Sequence, residues 1–219
     1  MFDDKMREDF LWYTYFGITK TDAEKDEKKA FEKCVYRAYI DLCRTIHFTK
    51  STSSLKGDEL KEYDDKKTGF KEEVTQELYT KIKSIFESTD LQQFYLDAFA
   101  VIIHASKRRT HDLFKDNLTY GQAQKWVNMT IKNMLVMGLW EFPENIEKQL
   151  HIPIDNYIID EAKENLDIKK PSCSWSKITD VGEYFDYQNK VRERVSNPET
   201  PLTWEHKAWL IHANELLKD

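Results

Sequence analysis

Apolar residues recur through most of the chain at three- and four-residue steps, the period of a helix with one buried face. Phe31, Cys34, Val35, Ala38, Leu42, Cys43 and Ile46 form the first stripe. It follows Thr21-Asp22-Ala23-Glu24, whose spacing predicts a capping box between Thr21 and Glu24. Val74, Leu78, Ile82, Ile85 and Phe86 form a second stripe. A third helix begins near Asp90 and carries Phe94, Leu96, Phe99, Val101, Ile102 and Ile103. Its near-continuous apolar run predicts burial on most sides and marks it as the central core helix. Between the first two stripes, the polar stretch from about Thr49 to Thr68 has no period and reads as a long loop.

Further along, a basic link, Lys107-Arg108-Arg109, leads to Leu118-Thr119-Tyr120-Gly121 and a helix through Met137, with Gly138 at the C-terminal cap position. Pro143 to Leu150 reads as a short helix or loop excursion. Pro153 is placed to start another helix at Ile154. Asp180 is placed to cap a helix from Val181 to Val195, and Thr200-Pro201 starts the last one, with Trp204, Ala208, Ile211 and Leu216 facing inward. The pattern yields seven or more helices and no strand. It predicts a single all-α domain over residues 1–219, broken by the polar loop at 49–68.

Composition narrows this. Six glycines and five prolines in 219 residues disfavour a turn-rich all-β fold, and twenty-nine aromatic residues argue against a disordered chain. No stretch approaches the ~18 to 20 apolar residues of a membrane helix. Met1-Phe2-Asp3-Asp4 lacks the basic-then-apolar order of a signal peptide. Cys34, Cys43 and Cys173 make no CxxC pair and read as reduced thiols of a cytosolic protein. The histidines (His47, His104, His111, His151, His206 and His212) form no HExxH, so neither a metal nor a cofactor is expected. Walker, GxGxxG and GxSxG motifs are absent as well. Trp175, in an irregular segment, reads as a packed anchor.

Two segments carry candidate chemistry. Leu118-Thr-Tyr-Gly-Gln-Ala-Gln-Lys-Trp-Val-Asn128 places Gly121 at a turn feeding a helix and Lys125 in that helix's first turns. Backbone N–H groups at such a start favour a phosphate. His151-Ile-Pro-Ile-Asp-Asn-Tyr157 places a carboxylate, Asp155, just inside a new helix. A lysine and an aspartate near two helix starts are able to converge on one cleft.

This order of glycine turn, lysine, asparagine three residues later and Pro-apolar-Asp helix start resembles the helix-hairpin-helix DNA glycosylases, nearest the archaeal 8-oxoguanine glycosylase branch. The resemblance covers about 40 of the 219 residues. It implies a helix-hairpin-helix-like centre and a DNA partner, with the target nucleotide flipped into a pocket. It also implies Lys125 as the nucleophile at the sugar C1′ and Asp155 as its acid/base partner. Gly121 and Gln122 would then lie at the DNA phosphate with Lys107, Arg108, Arg109 and Lys132, and Trp126, Asn128 and His151 would line the pocket. The chain departs from the family in four places: Gln122-Ala123 has no second hairpin glycine, Asn156 replaces threonine, Tyr157 replaces histidine, and Gly138 to Leu150 is an insertion relative to the commonest members. The cluster-binding cysteines of endonuclease III are missing, so no iron–sulfur group is implied.

Charge bears on the DNA partner. Residues 101–140 hold six basic and two acidic side chains, a net +4 in a chain of −6, which leaves −10 for the remainder. A locally basic face suits salt-sensitive phosphate contacts. The acidic remainder suits the alternative, a non-enzymatic helical module that binds a protein partner.

Overall fold

Thr119 starts the helix around which the rest is built. Its hydroxyl accepts the Gln122 N–H (3.1 Å) while the Gln122 side-chain oxygen accepts the Thr119 N–H (3.0 Å), closing a capping box. The computed structural model describes residues 3–108, 112–195 and 198–216, and among these it has ten α-helices. They are α1 (Asp4–Phe16), α2 (Lys20–Lys25), α3 (Glu27–Cys43), α4 (Gly57–Lys83) and α5 (Leu91–Lys107), then α6 (Tyr120–Val136), α7 (Glu144–Glu147), α8 (Asn156–Leu166), α9 (Val181–Arg194) and α10 (Pro201–Leu216). The described residues contain no strand beyond one antiparallel bridge between Phe48 and Phe114. The chain is all-α, and no described helix is long and apolar enough to cross a membrane.

The central helix is α6 rather than α5. Every residue from Gly121 to Met134 is buried, whereas α5 keeps one side partly open. Helix α3 packs along α6. The Trp126 indole N–H donates to the Val35 carbonyl (3.0 Å), and the Cys34 thiol meets the Met137 sulfur at 3.4 Å. Polar side chains on α6 misdirect the pattern reading, because they resemble a solvent face and are instead covered by α8, α9 and α10.

The expected loop at 49–68 is largely helical, since α4 begins at Gly57. Its first three turns hold one buried residue, Tyr63, among many charges, so no stripe shows until Phe70, Val74 and Leu78. Acidic Asp58 and Glu59 suit the helix start, and Glu62 pairs with Lys66 at 2.9 Å. Thr21 does not cap. Helix α2 is capped by Thr19 and α3 by Asp26, while Thr21 donates its hydroxyl to Asp9. Asp180 caps α9 as its position predicts, and Thr200 accepts the Thr203 N–H at the start of α10.

Gly121 lies within the first turn of α6, not in a tight hairpin. Thirteen residues separate it from the end of α5, with 109–111 outside the described ones. Its N–H donates to the Ile178 carbonyl (3.0 Å), and an added Cβ would stand 1.7 Å from the Trp175 carbonyl oxygen. Trp175 is the anchor of this strap, as its sequence context predicts. Gly121→Ala is therefore expected to lower stability by about 2 to 3 kcal/mol through overpacking. Gly69→Ala, inside α4 with no neighbour within 4 Å, is expected to raise it by about 0.5 to 1 kcal/mol. Denaturant midpoints of the two variants check both signs.

Candidate active site

The site is organised by an extended segment, His151–Ile154, that runs buried between α6 and α9 without pairing to any strand. Its backbone is satisfied by side chains. Gln124 of α6 accepts the Ile154 N–H (3.1 Å) and donates to the Ile154 carbonyl (2.9 Å). Gln188 of α9 does the same at Ile152, accepting its N–H (3.0 Å) and donating to its carbonyl (2.8 Å). The His151 N–H donates to the Tyr95 hydroxyl at 2.8 Å. Each amide thus serves one residue as a neighbouring strand would, which removes the penalty of unpaired buried backbone.

Asp155 follows directly and is the N-cap of α8. One carboxylate oxygen accepts the Ile158 N–H (3.0 Å), and the other accepts the Lys125 ammonium at 2.7 Å. Lys125 and Asp155, thirty residues apart in sequence, therefore meet as the motif pair predicts. Their side chains are 8% and 17% exposed, so the pair sits at the edge of the interior. Asp41 of α3 and Glu205 of α10 both interact electrostatically with this pair. Burial pushes the carboxyl groups of Asp41 and Glu205 above the ordinary range, against the opposing pull of Arg37 on Asp41 and of Lys132 on Glu205.

The other expected site residues have different partners. Lys132, one of the proposed phosphate contacts, is buried and bound to Glu205 at 2.6 Å. Gly121 and Gln122 are closed against the 175–178 strap and by the capping box, so the start of α6 presents no open phosphate cradle. Arg108 is bound to Glu73 and Glu77, Lys107 is exposed at the end of α5, and Arg109 lies outside the described residues. Trp126 and Asn128 are fully buried: the first is core between Tyr39 and Phe70, and the second bonds the Ile152 carbonyl. Neither lines an accessible pocket.

His151 is equally internal. Its ring stacks on Tyr95 with centroids 3.7 Å apart, and Nδ1 meets the Tyr184 hydroxyl at 2.8 Å. Burial, helped by the Arg192 charge, holds its pKa well below 6.5, so the ring is neutral. Sequence reasoning missed Asp41, Gln124, Gln188 and Glu205. For Gln124 the signal was the polar series Gln124, Asn128 and Lys132 at four-residue steps, which a buried network shares with a solvated face.

A groove of about 600 Å³ lies between α3 and α4, lined in part by Tyr36, Lys71 and Tyr79. A cleft of about 470 Å³, lined by Asn156, Ile159, Asp160 and Lys170, opens at the first turns of α8 beside Asp155 in sequence. No group of three or more His, Cys, Asp or Glu side chains among the described residues is placed to hold a metal ion. Comparison of the chain with family models, curated proteins and solved structures finds no match.

Two predictions follow from the burial of these groups. Glu205→Gln or Lys132→Met alone strands a buried charge and is expected to cost about 3 to 5 kcal/mol, while Lys132→Met with Glu205→Leu loses far less. Urea unfolding of the three variants checks the contrast. For His151 the unfolded chain binds more protons than the native one, so its contribution is complete above pH 6.5 and declines as pH falls. The slope it adds is at most about 1.4 kcal/mol per pH unit. It should be missing from His151→Phe when unfolding free energy is measured between about pH 5 and 7.

Proposed function

We propose that the protein is a DNA base-excision glycosylase with associated lyase action, Lys125 being the nucleophile and Asp155 its carboxylate partner. The observation that carries this reading is the 2.7 Å contact between two residues singled out from separate sequence segments. The dedicated side-chain support of the segment that delivers Asp155 adds to it.

A base stacked in duplex DNA is out of reach of an amine, so the nucleotide is extruded at a cost of a few kcal/mol. The cleft at the start of α8, about 470 Å³, has the volume of a small-ligand site, but neither Lys125 nor Asp155 lines it. Unprotonated Lys125 attacks the sugar C1′, the Nζ–C1′ bond forms, and the glycosidic electron pair leaves with the base, which takes up a proton. Asp155 faces the positive charge that builds on the sugar. The resulting lysine adduct permits strand cleavage by β-elimination. A cytoplasmic setting, with the three free thiols reduced, belongs to the same proposal.

One observation favours the non-enzymatic interaction module as a second reading. Met6, Phe10, Leu11 and Tyr13 of α1 are all more than half exposed, while Arg108 and Lys132, two of the four cations expected to hold DNA, are in ion pairs. Salt-dependent retention on immobilised DNA separates the two, since such a module should lack it.

Borohydride trapping on duplexes with an abasic site or 8-oxoguanine is the direct test. The wild-type chain is expected to form a covalent adduct that Lys125→Gln does not. Absence of any adduct from the wild type on either duplex, or an undiminished adduct from Lys125→Gln, would overturn the lysine mechanism.

A further inference from the structure

Helix α1 lies on the outside of the fold and buries only Phe16 of its thirteen residues. It is nevertheless well specified. Asp3 accepts the Met6 N–H at its start, Gly17 closes its end in the left-handed conformation, and Asp9 accepts the Thr21 N–H at 3.0 Å. A helix fixed at both ends but covered along one narrow seam leaves its other apolar side chains in water. Met6, Phe10, Leu11 and Tyr13 are 55 to 69% exposed. Met6, Phe10 and Tyr13 fall within about 60° of one another at 3.6 residues per turn, so they make one stripe. Tyr15 continues the surface onto α3, its ring centre 4.3 Å from the Arg37 guanidinium. On that part of α3, Tyr36 and Ile40 are exposed as well, one turn apart.

Together these side chains expose on the order of 700 Å² per copy, taking about 150 to 250 Å² for a whole aromatic side chain. That is more than the roughly 300 to 600 Å² of the largest apolar patch on an ordinary monomer. It is close to the roughly 800 Å² that each partner gives to a stable interface. Charge then selects the occupant. Phe10 to Ile18 are nine consecutive residues without a charged side chain, in a chain that is one-third charged. The helix itself holds three acidic and two basic side chains, so it offers no net attraction to nucleic acid or to an anionic bilayer. Two copies of a chain at −6 repel overall, and a neutral face is where they meet at least cost.

We infer that this face is the interface of a two-fold symmetric dimer, in which α1 of one copy crosses α1 of a second copy antiparallel with Phe10 at the axis. Phe10 is the most exposed apolar residue of the stripe and stands at its middle in sequence, between Met6 and Tyr13. Such a contact sets residues equally spaced about the axis opposite one another. Arg7 and Tyr13 are each three positions from Phe10, so Arg7 meets the partner's Tyr13 ring. Arg37 and Tyr15 already make a pair of that kind within one chain. The exposed ion pair of Arg7 with Asp4, at 2.9 Å, is one that solvent screens and is compatible with that contact. Antiparallel helices also bring opposite ends of their dipoles together. The interface involves α1 and α3, not the Lys125–Asp155 contact between α6 and α8, and stands apart from the lysine mechanism.

Sedimentation equilibrium of the full chain at about 1 to 100 μM is the test, a range that reaches the weakest interfaces of this size. The wild type is expected at twice its 26.2 kDa. Phe10→Glu should weaken association at least about 100-fold, since it removes a central anchor and sets two like charges together at the axis. Phe10 is 69% exposed, so the variant should keep the far-UV circular dichroism and melting temperature of the wild type. Leu210→Glu, in the exposed part of α10, should leave the dimer intact. Phe10→Glu mixed with Phe10→Lys should pair again, because opposite charges then meet. A wild type that stays at 26.2 kDa at the highest concentration overturns the inference and leaves the face to a different protein. A dimer that survives Phe10→Glu, or a mixture that stays monomeric, overturns it too. Lys125→Gln should associate as the wild type does, so failure of the interface and failure of the lysine mechanism are read separately.

Discussion

The structure depends on a stretch of extended backbone buried in an all-helical protein. His151–Ile154 has no strand beside it, and an unpaired buried N–H or carbonyl costs on the order of 1 to 3 kcal/mol. Gln124 and Gln188 answer that demand, each presenting one amide to the N–H and the carbonyl of a single residue. The Tyr95 hydroxyl and the Asn128 amide complete the set. Because each partner is fixed by its own helix, the segment has one register. A shift of one residue would leave both glutamines mismatched, and would set Pro153, which has no N–H, opposite one of them. This register places Asp155 at the start of α8 and within contact of Lys125.

That arrangement explains why α6 is buried on every side despite its polar residues. Gln124, Lys125, Asn128 and Lys132 each meet a specific partner from a later part of the chain. Desolvated ion pairs such as Lys132–Glu205 contribute little net stability compared with apolar packing of the same volume. Their value lies in orientation, since a buried charge tolerates few alternative partners. The Lys132–Glu205 pair holds α10 against α6, and the contacts between α10 and α8 close that side of the Lys125–Asp155 site.

The sequence was most legible where burial is one-sided. The stripe of α3, the caps of α9 and α10, the stop at Gly138 and the apolar face of α4 beyond Phe70 all follow from period and end chemistry. The first turns of α4 were not legible, because a helix holding one buried tyrosine in three turns has no detectable stripe and rests on charge placement and Glu62–Lys66. The centrality of α6 was hidden for the converse reason. Polar groups satisfied by distant segments look like a solvated face until those segments are in place. Of the site, the meeting of Lys125 and Asp155 was legible from two helix starts. Asp41 was not, because an acid four residues after an arginine on a helix is ordinarily a surface pair. The phosphate cradle expected at Gly121 was misread because a glycine at a helix start serves equally to admit another part of the chain, here the Trp175 carbonyl.

Electrostatic balance sets the remaining constraint on chemistry at this site. Lys125, Lys132, Arg37 and Arg44 stand with Asp41, Asp155 and Glu205, four cations and three carboxylates. A site built to hold phosphate would leave its cations free, whereas Lys132, Lys125 and Arg37 are paired with carboxylates at 2.6, 2.7 and 3.6 Å. On the glycosylase reading, cations paired in this way would suit a reacting centre that becomes positive, because the field favours charge development without first attracting an anion. Phosphate contacts would then have to come from cations farther out, such as Lys107, Lys169 and Lys177, which are exposed and carry no ion pair among the described residues. On the glycosylase reading, a nucleophile in this paired interior with DNA contacts on the rim would separate two electrostatic demands that conflict when they share a site: a lysine among many cations loses its proton readily but binds no developing cation, and a lysine among carboxylates does the reverse.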